Sequence, residues 1–375
     1  MQRILFVTDS LMAGGVERQL TELVTRLDRT RFEPVVVSLY GDRSGLRPHF
    51  SAQIQAMDIP LYILDLGWRA TDKLAGLVKL LQLTRRLQPD IVQAFNYHSN
   101  LLLRLARPFF PYKMRLIGSV RGNYTPKQLL YERISQWTCF YIATNGPHLR
   151  QQLIDKAHIP SRKIIYIPNG VDVDYFAHFQ DSTARDRIAP GAGRVFVSIG
   201  RISHEKRMHY LPEALGLLKN AGRLPGDLRL FIIGASDNSA MQQLLDESIA
   251  RHALEATVKY CPETHDLAPY YYACDATILF SPAEGMPNVV LESLAASRPV
   301  VVSEGANLAG IIEHEKTGWI VPTGDIEQLA QALHRVIICS SDTLETMNAN
   351  CLQRATDFSM SNMVAAYERL YERFD

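Results

Sequence analysis

No apolar run in this 375-residue chain approaches the roughly 20 residues needed to cross a bilayer, so no membrane-spanning helix is expected. The opening stretch reaches Asp9 after only four strongly apolar residues and lacks the apolar core of a secretory signal. Cysteine is scarce. The five residues, at 139, 261, 274, 339 and 351, form no CxxC pair, which excludes a disulfide framework or a cysteine zinc site and fits a reducing cytoplasm. The fingerprint GxGxxG is missing, which counts against a dinucleotide cofactor. Neither sign of charge dominates, at +1 overall. With 47% hydrophobic and 21% charged residues, disorder and fibrous architectures are excluded.

What is present points to two domains, since the chain is too long for one ordinary core. The net charge hides an asymmetry. Residues 1–175 hold 23 Lys and Arg against 14 Asp and Glu, a net of +9, and residues 176–375 hold 17 against 25, a net of −8. A basic half suits an anionic partner, although two domains can also simply drift apart in charge. In the first half, β-branched runs at Ile4–Val7, Val35–Leu39, Leu61–Leu64, Ile91–Ala94, Leu116–Val120, Tyr141–Thr144 and Ile164–Ile167 read as strands. Between them lie amphipathic stretches such as Val16–Leu27 and Thr71–Leu87. The pattern restarts after a looser stretch, Ala177–Gly193. Strands are expected at Val195–Ile199, Leu230–Ile233, Val258–Cys261, Thr277–Phe280 and Val300–Ser303. Helices are expected at Met208–Lys219, Ser239–Ala253 and Asn288–Ala296, and again from Ile326 onward. Strand and helix in alternation imply parallel sheets. The expected architecture is α/β, two Rossmann-like doubly wound domains facing across a deep cleft: an N-terminal domain over 1–176, a C-terminal domain over 194–355, and a terminal helix over 356–375 crossing back.

Three motifs sit where strands give way to helices. Gly14 and Gly15 precede the helix start at Val16, where free amides and a positive dipole end suit a phosphate or sugar; a structural tight turn explains the pair equally well. Gly200-Arg201-Ile202-Ser203-His204-Glu205-Lys206 follows a strand, and Arg201 with Lys206 suits a diphosphate. In Phe280-Ser281-Pro282-Ala283-Glu284-Gly285-Met286-Pro287-Asn288-Val289-Val290-Leu291-Glu292, Pro287 opens a helix. The amides of Asn288, Val289 and Val290 then offer an anion site bracketed by Glu284 and Glu292. Carboxylates there suit hydroxyl groups, one on a sugar and one on a ribose.

Glu284 to Glu292 resembles the E-x7-E motif of the retaining glycosyltransferases of family 4, which have the GT-B fold. Four further segments agree in order: the Gly14-Gly15 loop, Ile167-Pro168-Asn169-Gly170-Val171-Asp172, Gly200-Arg201 with Glu205-Lys206, and Ala295 to Pro299 before a valine run. Tyr270–Ala276 also resembles the stretch ahead of the motif. The resemblance spans nearly the whole chain. It implies a hexosyl- or N-acetylhexosaminyl-transferring enzyme whose first domain holds the acceptor and whose second holds a donor such as a UDP- or GDP-sugar. It implies that Arg201 and Lys206 neutralise the donor diphosphate, that Glu284 contacts the donor sugar and Glu292 the ribose. Asn288, Val289 and Val290 would help hold the phosphates, and the Gly14-Gly15 loop would close on the donor. It implies no cofactor and no metal, and no DxD is read between a strand and a turn.

The chain departs from the family pattern in two places. Arg121 stands where many relatives carry histidine, and Ala306-Asn307-Leu308-Ala309-Gly310 lacks the family's acidic residue. Arg121 and His98 are the acceptor-side candidates, with a surface helix-start histidine the alternative for His98. The expected setting is cytoplasmic polysaccharide or lipid-linked glycan assembly, peripheral on the inner face of the membrane, with a glycan or lipid-linked acceptor and no nucleic acid. Alternatives are a GT-B sugar-nucleotide epimerase and a non-catalytic nucleotide-sugar binding module. The segment Arg104 to Arg115, with four cations and three aromatics, suits an anionic membrane surface; the alternative is a helix-to-strand connection with solvated cations and core aromatics.

Overall fold

Short apolar strands alternating with amphipathic helices produce two sheets in which every pairing is parallel. The computed structural model describes residues 1–12, 14–41, 49–67, 70–110, 113–179, 181, 183–236, 239–264 and 266–374. Its two units comprise Met1–Gly170 with Met360–Asp375, and Val171–Ser359. The sheet of the first unit contains β1 (Gln2–Thr8), β2 (Phe32–Ser38), β3 (Leu61–Ile63), β4 (Ile91–Ala94), β5 (Arg115–Val120), β6 (Tyr141–Thr144) and β7 (Ile164–Tyr166), ordered β3-β2-β1-β4-β5-β6-β7. That of the second contains β8 (Arg194–Ile199), β9 (Leu228–Ile233), β10 (Val258–Cys261), β11 (Ala276–Leu279), β12 (Val300–Ser303) and β13 (Gly318–Val321), ordered β10-β9-β8-β11-β12-β13. In both, the chain winds outward from one strand, then returns to wind the other way. The reversal falls between β1 and β4, and between β8 and β11.

The strands read as continuous apolar runs because helices cover both faces. Ile4, Leu5, Phe6 and Val7 are all fully buried. Pro34 is tolerated inside β2 because β3 pairs only with Val36–Ser38, so its missing N–H leaves no gap in that ladder. The helix Gly15–Arg26 turns Leu20, Leu23 and Val24 inward, and the helices Ala70–Leu87, Tyr210–Asn220, Ser239–Arg251 and Asn288–Ala295 lie within two residues of the expected spans. Helix Met360–Tyr371 packs in the first unit, where the Tyr371 ring meets Phe6 and Phe32 and its hydroxyl donates to Gln93 Oε1 at 2.6 Å. Among the described residues, no helix is long and apolar enough to cross a membrane.

Four expectations are corrected. The stretch expected to be a linker is packed structure of the second unit: it holds helices Val173–His178 and Ala184–Ile188, and Arg185 donates to the Ala273 carbonyl at 3.0 Å and to Asp275 at 3.1 Å. The division between units falls after Gly170. β13 was not anticipated, since a four-residue run opening on glycine carries little strand signal. The glycine is required, because a Cβ at Gly318 would lie 2.0 Å from the Val300 carbonyl oxygen. The sequence also contains one DxD, Asp172-Val173-Asp174. There Asp172 caps a helix, accepting from the Tyr175 amide at 2.9 Å.

The fourth correction concerns the segment Arg104 to Arg115. Arg104 is buried and donates to Glu132 and to Ser135, both at 2.7 Å, and Phe110 is core. A buried, paired guanidinium cannot meet a membrane, so this segment is not the docking face in the form expected. Pro111 and Tyr112 lie outside the described residues.

Candidate functional site

Both reversal points carry the polar residues that the sequence singles out, in keeping with ligand binding beyond the carboxyl ends of strands in doubly wound sheets. In the second unit, β8 and β11 are neighbours, so their following loops emerge side by side. The β8 loop is anchored by the Ile202 amide on the Ala235 carbonyl at 2.9 Å. The β11 loop is tied to the turn after β12, where the Glu284 amide donates to the Gly305 carbonyl at 2.9 Å and Ser303 Oγ to the Ser281 carbonyl. These anchors bring Lys206 Nζ to 2.6 Å from Glu284 Oε1. The side chains keep 21% and 16% exposure, so the pair is accessible from solvent. Arg201, one turn of loop away, is exposed.

The helix Asn288–Ala295 starts beyond Glu284, with Pro287 as its N-cap, a residue whose side chain offers no capping acceptor. The Val290 amide donates to the Pro287 carbonyl at 3.2 Å, so of the three expected anion-binding amides this one is satisfied locally. Glu292 differs sharply from Glu284. It is 4% exposed, and its Oε2 accepts from the fully buried Tyr271 hydroxyl at 2.8 Å. Tyr271 is a partner the sequence did not point to. Its signal lies in the Tyr270–Ala276 stretch already noted, where one face of a short helix turns inward. In the loop lacking the family's acidic residue, the Asn307 amide exchanges hydrogen bonds with the backbone of Ile312, at 2.9 and 3.0 Å.

In the first unit, five strands end on polar residues at one sheet edge: Asp9 after β1, Asn96 after β4, Arg121 after β5, Asn145 after β6 and Asn169 after β7. Asn96 caps the helix Tyr97–Ala106, and Asp9 reinforces it by accepting from the amides of His98 at 3.2 Å and Ser99 at 2.7 Å. The same carboxylate meets His98 Nδ1 at 2.9 Å, which orients an imidazole that remains 40% exposed. Arg121 is held from three sides: by Asn169 Oδ1 at 3.0 Å, by the Tyr367 hydroxyl, and by stacking on Phe95 at 4.7 Å. Gly170 exchanges two hydrogen bonds with the Gln19 amide, at 2.8 and 2.9 Å, which accounts for the Asn169-Gly170 corner.

The Gly14-Gly15 loop holds something unforeseen. A Cβ at Gly14 would sit 2.1 Å from Glu17 Oε2, so the group approaching this backbone is Glu17's own carboxyl. Glu17 Oε1 accepts from Asn96 Nδ2 at 3.1 Å. Burial pushes its pKa above the usual carboxylate range, with the Asn96 hydrogen bond and Arg121 acting downward and Asp9 upward. Gly14 itself is extended, at φ −166°, so the glycine supplies space and not a special backbone angle. Among the described residues, no group of three or more His, Cys, Asp or Glu is gathered to hold a metal ion.

Residues 13–175 match the family described as Glycosyltransferase Family 4, and residues 193–338 match the one described as Glycosyl transferases group 1. The Escherichia coli UDP-Gal:alpha-D-GlcNAc-diphosphoundecaprenol alpha-1,3-galactosyltransferase is 23% identical over 375 residues, covering 96% of this chain and 94% of that protein. The Rhizobium meliloti lipopolysaccharide core biosynthesis glycosyltransferase LpsE is 25% identical over 331 residues, covering 88% of this chain and 87% of its own. The crystal structure of Anabaena HepE in complex with UDP and glucose matches with a TM-score of 0.85 at 18% identity, covering 100% of both chains. That likeness is one of fold, two Rossmann-like units of the GT-B type.

Proposed function

Because this chain is a glycosyltransferase, with a family 4 domain in its first half and a group 1 domain in its second, we propose that it moves a sugar with retention from a nucleoside-diphosphate sugar to a glycan or lipid-linked acceptor. The observation that carries the reading is the meeting of Lys206 and Glu284 at the reversal point of the second sheet, one loop ahead of the start of helix Asn288–Ala295. In this reading Lys206 and Arg201 take the diphosphate, and Glu284, losing its lysine partner, takes a hydroxyl of the donor sugar. Glu292, fixed by Tyr271, serves the ribose, and the amides of Asn288 and Val289 face the phosphates.

The reaction breaks the bond from the anomeric carbon to the distal phosphate oxygen and forms one to the acceptor oxygen on the same face. Negative charge grows on the leaving phosphate. Cations and amides already in place there stabilise it without reorganising, the largest single source of rate enhancement in many enzymes. The departing phosphate oxygen takes the acceptor's proton, so no divalent metal and no separate strong base is invoked. The acceptor is assigned to the first unit, beside His98 and Arg121. The E. coli relative is named for a UDP-sugar donor and a diphosphoundecaprenol-linked acceptor, so those substrates are the first to try.

The test measures release of nucleoside diphosphate from a panel of UDP-, GDP- and ADP-sugars in the presence of chelator, with and without a lipid-linked glycan. The anomeric configuration of the product is read by NMR. Acceptor-dependent release with the donor's configuration supports the reading; binding of donor with no turnover, or an inverted product, overturns it.

A further inference from the structure

The excess positive charge of the first half is concentrated in one stretch. Residues 101–170 hold 11 Lys and Arg against two acids, Glu132 and Asp155, whereas residues 1–100 hold 12 against 10. Glu132 is buried against Arg104, which leaves Asp155 as the stretch's one exposed carboxylate. The same stretch carries an apolar stripe on its surface. On helix Pro126–Ser135 and the turn Gln136–Thr138, Leu130, Ile134 and Trp137 follow at i, i+4 and i+7 and are 55%, 64% and 67% exposed. The inward face is fixed: Leu129, Glu132 and Ser135 are buried, the last two held by Arg104 from the helix Tyr97–Ala106. That neighbouring helix and the turn after it add Leu105 and Phe109, 56% and 60% exposed. Lys127 and Arg133 are exposed on the striped helix, and Lys163 reaches the turn at its end, donating to the carbonyls of Gln136 and Cys139.

We propose that this face docks on an anionic bilayer surface. A rigid helix that shows tryptophan and branched aliphatics, among cations with almost no acid, has the make-up of an element lying flat in the headgroup region. A second copy offering the same face would set one basic surface against another. The segment Arg104 to Arg115 contributes through its exposed members, and Arg104 acts from inside by holding the helix in place. The inference stands apart from the donor chemistry, and its test needs no sugar nucleotide.

The test is flotation of the full chain with phosphatidylcholine vesicles, with and without phosphatidylglycerol, at low and high salt. Wild type should bind anionic vesicles at low salt and lose most binding at high salt. Lys127→Gln with Arg133→Gln should weaken the partition coefficient about fivefold for each cation removed. Ile134→Ser with Trp137→Ser should abolish binding at either salt. Both pairs are exposed and should leave the melting temperature unchanged. Tryptophan emission should shift to the blue on vesicles, and the shift should vanish in Trp137→Phe. The proposal is overturned if neutral vesicles bind equally well, if both variant pairs bind as wild type, or if the serine variants change only the oligomeric state.

Discussion

Two ion pairs of nearly equal length do opposite things in the two units. Arg104 and Glu132 meet at 2.7 Å with each side chain 1% exposed, and Lys206 and Glu284 meet at 2.6 Å with 21% and 16% exposed. The first pair is sealed: Ser135 occupies another guanidinium nitrogen, and nothing from solvent can take either charge's place. Its partners can only stay paired, so it fixes two helices against each other. The second lies on loops at a sheet edge, where water or a ligand competes for each charge. Distance alone does not separate a sealed pair from one open to exchange; access does.

The comparison breaks most visibly if the buried pair is cut. Arg104→Ala leaves a desolvated carboxylate, which should cost about 3–5 kcal/mol in denaturant unfolding, whereas replacing both partners by well-packed apolar residues should be close to neutral. Folded Arg104→Ala protein should keep its turnover number. Unchanged stability would mean that water reaches Glu132 after all.

Cutting the accessible pair should invert that result. Lys206→Ala or Arg201→Ala should lower kcat/KM about 10²-fold, the scale for losing one group that meets developing charge. Loss of Lys206 should move stability by less than about 1 kcal/mol, as for exposed pairs. Near wild-type turnover in both variants would move the donor site elsewhere.

The two glutamates of the β11 loop and its helix sharpen the contrast further. Glu284→Ala should act mainly on kcat. Glu292→Ala should weaken nucleoside-diphosphate affinity in calorimetry and also cost about 1–3 kcal/mol of stability, because the buried Tyr271 hydroxyl loses its carboxylate acceptor at 2.8 Å and has the Val289 carbonyl only at 3.4 Å. Equal losses of nucleotide affinity in both variants would contradict the division of roles.

The smallest effect concerns Glu17. Its folded pKa is raised by burial, so the stability that goes with the neutral carboxyl is present below the unfolded value and fades as pH rises through the folded one. Glu17→Gln, which keeps an acceptor for Asn96, should therefore melt higher than wild type at pH 8 and coincide with it below about pH 4. A gap independent of pH would show that ionisation of Glu17 is not involved.

Much of the fold was legible because buried parallel strands leave a plain signature of branched apolar runs, and twelve of the thirteen strands carry it. β13 does not: its placement depends on Gly318 passing close to Val300, a contact between elements. The stretch after Ala177 reads as loose because its short helices are held from outside, by Arg185 on Ala273 and Asp275. In the site, Lys206 and Glu284 are legible as loop residues after strands, but these two side chains, 78 positions apart, meet because β8 lies beside β11. Arg104 reads in the sequence as a surface cation because its partner sits 28 residues away on another helix. Glu17 lies two residues past the paired glycines yet carries no signal in the sequence, which shows that space exists there and not what fills it.

The last helix has a consequence for synthesis. Met360–Tyr371 completes the first unit, yet the ribosome reaches it only after the whole of Val171–Ser359 has been made. The second unit has all its chain before the first does, and Phe6, Phe32 and Phe95 wait through that interval without the tyrosines that cover them in the finished protein. An aromatic surface left bare on a nascent chain is what chaperones recognise and what aggregates when they are absent. Of the two units, the one begun earlier is thus the one finished later.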